Sequence, residues 1–251
     1  MRRPSIALLL ATFTVSSATA GQVTIAVASN FRAPAEAIVA KFEQETAHKA
    51  RISSASTGKL FAQIKHGAPF DILLAADSEH PRRLETSGLA ASGTRHTYAI
   101  GSLVLWSRDA RLAGADCRAA LAEMRHMRLA IANPETAPYG IAARQFLANE
   151  GLWNTVAPRL VYGENIAQAL HFVASGNAEL GLIAASQARD SRLPDASCAW
   201  PVPVELHEPI EQQSVLLQRA ANNEAARDFV AFLHGETGRH IVTRFGYEVS
   251  E

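Results

Sequence analysis

The stretch Val23-Thr24-Ile25-Ala26-Val27-Ala28-Ser29-Asn30-Phe31-Arg32-Ala33-Pro34-Ala35-Glu36-Ala37-Ile38-Val39-Ala40-Lys41-Phe42 changes its period part-way along. Val23, Ile25 and Val27 alternate, which is the pattern of a strand. Ala35, Ile38, Val39 and Phe42 recur at i, i+3, i+4 and i+7, the apolar stripe of a helix. Pro34 is comfortable only in a first helical turn, so the helix starts close to Asn30–Ala33. A strand therefore runs into a helix through small polar residues.

The same unit recurs downstream. Arg51 to Ala55 reads as a strand and Gly58 to His66 as a helix with Leu60, Phe61 and Ile64 inward, stopped by Gly67. Phe70 to Ala76 is a buried strand, and a short helix from Pro81 ends at Gly88. Tyr98 to Trp106 reads as one long apolar strand. A helix over Arg118–Met124, a strand over Leu129–Ala132 and a helix over Ile141–Leu147 that stops at Gly151 follow. After a strand at Leu160–Tyr162, Asn165 caps a helix with Ile166, Ala169, Leu170 and Val173 on one face and Gly176 at its end. Leu180–Ala184, Val202–Leu206 and Ser214–Leu217 read as strands, and helices over Glu224–Leu233 and Thr237–Phe245 close the chain. About nine strands alternating with helices imply an α/β architecture of parallel sheets covered on both faces. No repeat or Pro-rich linker divides the chain, so two lobes joined by crossing strands fit better than two domains in series. Tyr98–Trp106 is one candidate crossing and Val202–Leu206 the return.

Residues 1–20 differ from the rest. Arg2 and Arg3 precede a short apolar run, Ile6 to Phe13, and Ala18-Thr19-Ala20 has the A-x-A form of a cleavage site. This is a secretory signal peptide, too short to span a bilayer, which needs roughly 20 apolar residues. It sends a soluble chain to a bacterial periplasm. The chain of 251 residues is 48% hydrophobic and 19% charged, enough apolar material for a sizeable core. Its 24 basic residues match 24 acidic ones, which argues against a nucleic-acid partner.

Familiar catalytic motifs are missing. Gly58-Lys59 is followed by Leu60, so there is no phosphate-binding P-loop, and neither G-x-G-x-x-G nor G-x-S-x-G occurs. His207-Glu208 begins like a zinc-protease helix, but Pro209 breaks it and position 211 is Glu211. Four strand ends stand out instead: Ala28-Ser29-Asn30, Ala55-Ser56-Thr57-Gly58, Ala137-Pro138-Tyr139-Gly140 and Glu164-Asn165-Ile166. Each alone is an ordinary helix start. Together, at the carboxyl ends of strands, they offer free N–H groups and partial positive charge to an anion.

These blocks carry a resemblance. Val27-Ala28-Ser29-Asn30-Phe31, Ser53-Ser54-Ala55-Ser56-Thr57-Gly58, Gly67-Ala68-Pro69-Phe70-Asp71-Ile72, Ala75-Ala76-Asp77, Tyr98-Ala99-Ile100-Gly101, Ala132-Asn133-Pro134-Glu135, Glu208-Pro209-Ile210 with Gln212-Gln213, and Arg244-Phe245-Gly246-Tyr247 resemble, in order, the periplasmic molybdate-binding proteins of ABC transporters. The resemblance implies the type II periplasmic binding protein fold, two α/β lobes with a hinge and an interlobe ligand cleft. Lobe I is then 21–100 plus 206–251, and lobe II 101–205. It implies a non-enzymatic monomer without cofactor that captures molybdate, or tungstate, and delivers it to an inner-membrane ABC permease. It assigns the oxyanion to Ser29, Asn30 through its N–H, Thr57 with Ser56 as neighbour, Tyr139 mainly through its main-chain N–H, and Ile166 through its N–H. One position departs: Ala184 stands where some relatives place a ligating tyrosine, so either Tyr139 or Asn30 compensates or the site has fewer donors.

A site made only of donors suits an unprotonated dianion and rejects a protonated phosphate, which needs an acceptor. Glu135 and Glu164 must then face solvent, and Arg32 and Lys59 are read as solvated first-turn side chains. Two other readings stay open: a binding protein for another tetrahedral oxyanion such as sulfate, and an exported hydrolase using Ser29 or Ser56. Cys117 and Cys198, in an oxidising compartment, either form a disulfide or remain two buried thiols.

Overall fold

The computed structural model describes residues 20–123, 127–190, 193 and 195–249. Of the expected signal peptide only Ala20 falls within these residues, and the expected helix end at Met124 lies outside them. The first half of the chain runs β1 (Gln22–Ala28), α1 (Arg32–Glu45), β2 (Lys49–Ala55), α2 (Thr57–Lys65), β3 (Ile72–Leu74), α3 (Glu79–Thr86), β4 (His96–Gly101), β5 (Leu103–Ser107) and α4 (Cys117–Ala122). It continues with β6 (Leu129–Ala132), α5 (Pro138–Asn149), α6 (Trp153–Val156), β7 (Leu160–Gly163), α7 (Ile166–Ala174), β8 (Leu180–Ala184) and α8 (Ala185–Ala188). β9 (Cys198–Pro201), β10 (Ile210–Leu216), α9 (Glu224–His234) and α10 (Glu236–Arg244) complete it. α2 and α7 stop as expected at Gly67 and Gly176, whose φ of 85° and 78° suits a residue without Cβ.

The strands form two five-stranded sheets, ordered β2-β1-β3-β10-β4 and β7-β6-β8-β5-β9. Alternation along β1 sorts its side chains onto two faces. Val23, Ile25 and Val27 pack with Phe42 of α1 and Phe229 of α9, while Ala26 packs with Leu60, Phe61 and Leu73. The second sheet has its own core, in which Trp106, Leu121, Phe146, Val173 and Leu182 meet.

The sheets are mixed rather than parallel. β10 runs antiparallel to β3 and β4, and β5 runs antiparallel to β8 and β9. The cause is that the chain crosses between sheets. Tyr98–Trp106 is not one strand: it divides at Ser102, with Gly101 paired to Ile210 in the first sheet and Leu103 paired to Ala184 in the second. Both halves are buried, so hydrophobicity does not mark the break. The return is not a strand either. Val204–Leu206 forms a 3-10 turn, because Pro203 lacks the N–H a ladder needs.

Cys117 and Cys198 are joined by a disulfide that ties α4 to β9, with Cα atoms 5.6 Å apart across a sequence separation of 81. In the chain-entropy picture a loop of that size stabilises by about 4–5 kcal/mol. At the other end of the molecule, Gly21 N–H donates to His48 Nδ1 at 2.9 Å and His48 Nε2 meets Asp228 at 3.0 Å, which fastens the start of β1 to α9.

One feature of each sheet positions the site. β1 and β2 are parallel neighbours in the register Ala28 with Ala55, and β6 and β7 in the register Ala132 with Gly163. In each pair the strand ends lie level. The segments leaving them start helices at the same edge of the sheet.

Candidate functional site

Those edges face one another across a small cavity of about 10 Å³ lined by Ala28, Ser29, Asn30, Ser56, Thr57, Ala76, Ala137, Pro138, Tyr139 and Ile166. This is well below the roughly 300–1,000 Å³ of pockets for drug-sized ligands. All five residues singled out from the sequence line it. Each is at most 9% exposed, and Thr57 and Tyr139 are at 1%. No lining residue carries a charge.

The donors are held by different local means. The Asn165 side chain caps α7 by accepting from the N–H groups of Ala167 and Gln168, so it leaves the N–H of Ile166, the first helical residue, uncapped. Pro138 opens α5, which makes Tyr139 the first residue of that helix with an N–H to offer. Ser29 and Asn30 begin a 3-10 turn whose leading N–H groups lack intrahelical partners. Thr57 opens α2, and its Oγ1 accepts from the N–H of Ala76 at 3.0 Å, which leaves its hydroxyl proton free to donate.

The polar ends of Asn30 and Tyr139 are committed behind the cavity. Asn30 Nδ2 donates to Gln212 Oε1 at 2.8 Å and to the Tyr247 hydroxyl at 3.0 Å. Gln212 Nε2 donates to the Tyr139 hydroxyl at 3.2 Å, and Tyr98 donates to Gln212 Oε1 at 3.2 Å. Tyr247 donates to the Asn30 carbonyl at 2.9 Å, and Ser186 donates to Tyr247 at 2.8 Å. This network joins both sheets beside the Gly101 crossing, where any Cβ would overlap the Tyr139 hydroxyl. Ala184 is buried and outside the cavity lining. Gln212 and Tyr247 belong to the blocks that carry the resemblance, but the sequence reading assigned neither of them to the site. Their partners lie as many as 182 and 217 positions away, so those blocks do not show what the two side chains bond.

Burial raises all three phenols above their ordinary range, Tyr247 to about 12. The folded state thus holds these protons to higher pH than the unfolded chain does. Their contribution to stability should stay level below about pH 10, then fall as the pH rises through about 12. Tyr247→Phe should make that fall shallower in melting curves taken across the range. An equally steep fall in the variant would contradict the assignment.

Charges keep to the rim. Glu135 and Glu164 are 78% and 64% exposed, as a site without acceptors requires. Lys59 on α2 pairs with Glu164 before α7 at 2.8 Å, and Arg32 with Glu36 at 2.8 Å. Gly58 N–H donates to the Thr136 carbonyl at 2.9 Å. Lys59–Glu164 and Gly58–Thr136 both span the gap between the two sheets' helices, so the two sides are drawn together over the cavity.

The chain matches the family of bacterial extracellular solute-binding proteins over residues 23–248. It belongs to that family. The binding protein is 45% identical over 232 residues to the molybdate-binding protein ModA of Azotobacter vinelandii, covering 92% of this chain and 91% of the relative. It is 38% identical over 247 residues to ModA of Rhodobacter capsulatus, covering 98% and 96%. Its structure superposes on the periplasmic molybdate-binding protein of Azotobacter vinelandii with a TM-score of 0.85 at 35% identity, covering 91% of this chain and 100% of that one. The fold of this binding protein is accordingly the two-lobed α/β arrangement of periplasmic binding proteins, with one sheet in each lobe.

Proposed function

We propose that this protein captures molybdate, and tungstate with it, in the periplasm and hands it to an inner-membrane ABC permease without a chemical step. The observation that carries the reading is the cavity: small, uncharged, and walled by helix starts from both sheets. Ser29 and Thr57 offer hydroxyls, and Asn30, Tyr139 and Ile166 offer main-chain N–H groups. Such donors face a dianion with fixed dipoles in a buried place, where they act more strongly than in water. A protonated phosphate would bring a proton with no acceptor to meet it. Sulfate has molybdate's charge and no proton, so cavity size discriminates there. The names of the relatives point to the same cargo.

On this reading the lobes are 21–100 plus 206–251 and 101–205, the chain acts as a monomer, and a cleavable signal peptide of 20 residues exports it. The crossings beside Gly101 and Pro203 serve as the hinge. Because donors come from both lobes, binding closes the cleft.

A thermal-shift panel tests this. A ligand at 100 times its dissociation constant stabilises by about 2.7 kcal/mol, or about 5–10 °C for a chain of this size. Molybdate and tungstate should each produce that shift, and sulfate and phosphate at equal concentration should not. A larger shift with sulfate would transfer the assignment to that anion.

A further inference from the structure

The geometry points to Ser56 as a further oxyanion-binding residue, one that meets the anion through its hydroxyl. The inference rests on the oxyanion reading above and adds a side-chain ligand to it.

Ser56 is the N-cap of α2, with extended backbone at φ −68° and ψ 151°. A serine there ordinarily accepts a hydrogen bond from the second or third N–H of the helix. Ser56 makes no such bond. The second of those N–H groups, on Gly58, donates instead to Thr136 on the opposite lobe at 2.9 Å. Ser56 is 2% exposed, its Oγ has no partner, and the residue lines the cavity. A buried hydroxyl without a partner costs free energy, and such groups in folded proteins call for an explanation. Ser54 Oγ also lacks a partner, but Ser54 does not line the cavity, so no ligand would relieve it.

The neighbour sharpens the case. Thr57 already uses its oxygen to accept from Ala76, which fixes its hydroxyl. Ser56 has both its donor and its acceptor uncommitted, so a tetrahedral anion in the cavity gives it the partner the protein withholds. The hydroxyl is then kept for the cargo at the expense of the helix cap.

The test is titration calorimetry with sodium molybdate on the mature protein and on Ser56→Ala, together with the melting temperature of each without ligand. Loss of one hydrogen bond to a charged group should weaken binding by about 10- to 150-fold. The ligand-free melting temperature should stay the same or rise, because alanine removes an unpartnered buried hydroxyl and no existing bond. An affinity within about threefold of wild type overturns the inference, whatever the melting curve does. So does a ligand-free melting temperature lowered by more than about 4 °C, which would make Ser56 a structural cap. A wild-type protein that fails to bind molybdate overturns the oxyanion reading itself and this inference with it. A wild type that binds beside a variant that binds equally well overturns the inference alone.

Discussion

Ile166→Pro is expected to weaken molybdate binding by about 10- to 150-fold while leaving α7 folded. The contribution assigned to Ile166 is its N–H, and proline removes that donor while keeping an apolar side chain at this buried position. Position 166 is the first residue of α7, where proline is well tolerated because the missing N–H has no intrahelical partner. Asn165 before it has φ −154° and ψ 174°, the extended backbone a residue preceding proline prefers. Its side chain bonds the N–H groups of Ala167 and Gln168, so the cap survives the change. A bond of this kind to a charged group contributes about 1.5–3 kcal/mol, and the anion oxygen would be left with no replacement donor. Ile166→Val keeps the N–H and most of the side chain that packs in the second lobe's core, so its affinity should lie close to wild type. Circular dichroism would confirm the helix in both variants. Equal affinities for the two would show that the main-chain donor at this position is not used.

Gly58→Ala separates closure from folding. A Cβ at Gly58 would lie 2.9 Å from the Thr136 carbonyl oxygen and 3.1 Å from its Cα, backbone atoms of the opposite lobe. With the cleft open that clash is absent, and alanine in place of glycine favours the helix. The ligand-free variant should therefore melt at or above the wild-type temperature. In the closed form the overlap must be relieved, at a cost typical of overpacking of about 1–3 kcal/mol, so affinity should fall by about 5- to 150-fold. Scattering curves with saturating molybdate should also show less compaction than wild type. A variant that melts lower without ligand yet binds as well as wild type would mean that the lobes meet at Gly58 without any anion present.

These expectations stand on features of differing visibility. The helix starts were legible because each uses local chemistry: Pro138 at a first turn, Asn165 as a cap, Gly67 and Gly176 as stops. The pairing of their strands was not, since the levels at which Ala28 meets Ala55 and Ala132 meets Gly163 are settled by ladders between distant segments. The crossing at Ser102 was hidden inside one apolar run, because a strand buried in the first sheet and one buried in the second need the same side chains. The buried role of Gln212 was hidden too, although the residue stands in one of the blocks that carry the resemblance. It lies ahead of the strand expected at Ser214–Leu217, yet it sits in β10, fully buried and bonded to Asn30, Tyr98 and Tyr139. Ser56 and Thr57 are indistinguishable by type, and only the bond from Ala76 shows which hydroxyl is already anchored.

The central claim is that neutral donors, not ion pairs, hold the dianion. Arg32 and Lys59 are the cations in the first turns of the donor helices α1 and α2, and both pair with carboxylates at the rim. Exposed pairs of this kind contribute little and are screened by salt. The direct measurement is calorimetric titration of molybdate into the double variant Arg32→Ala, Lys59→Ala at physiological salt. Neutral-donor binding predicts an affinity within about tenfold of wild type, most of that from the lost rim pair across the cleft. Abolished binding in the double variant would contradict it and put a charge-paired site in its place.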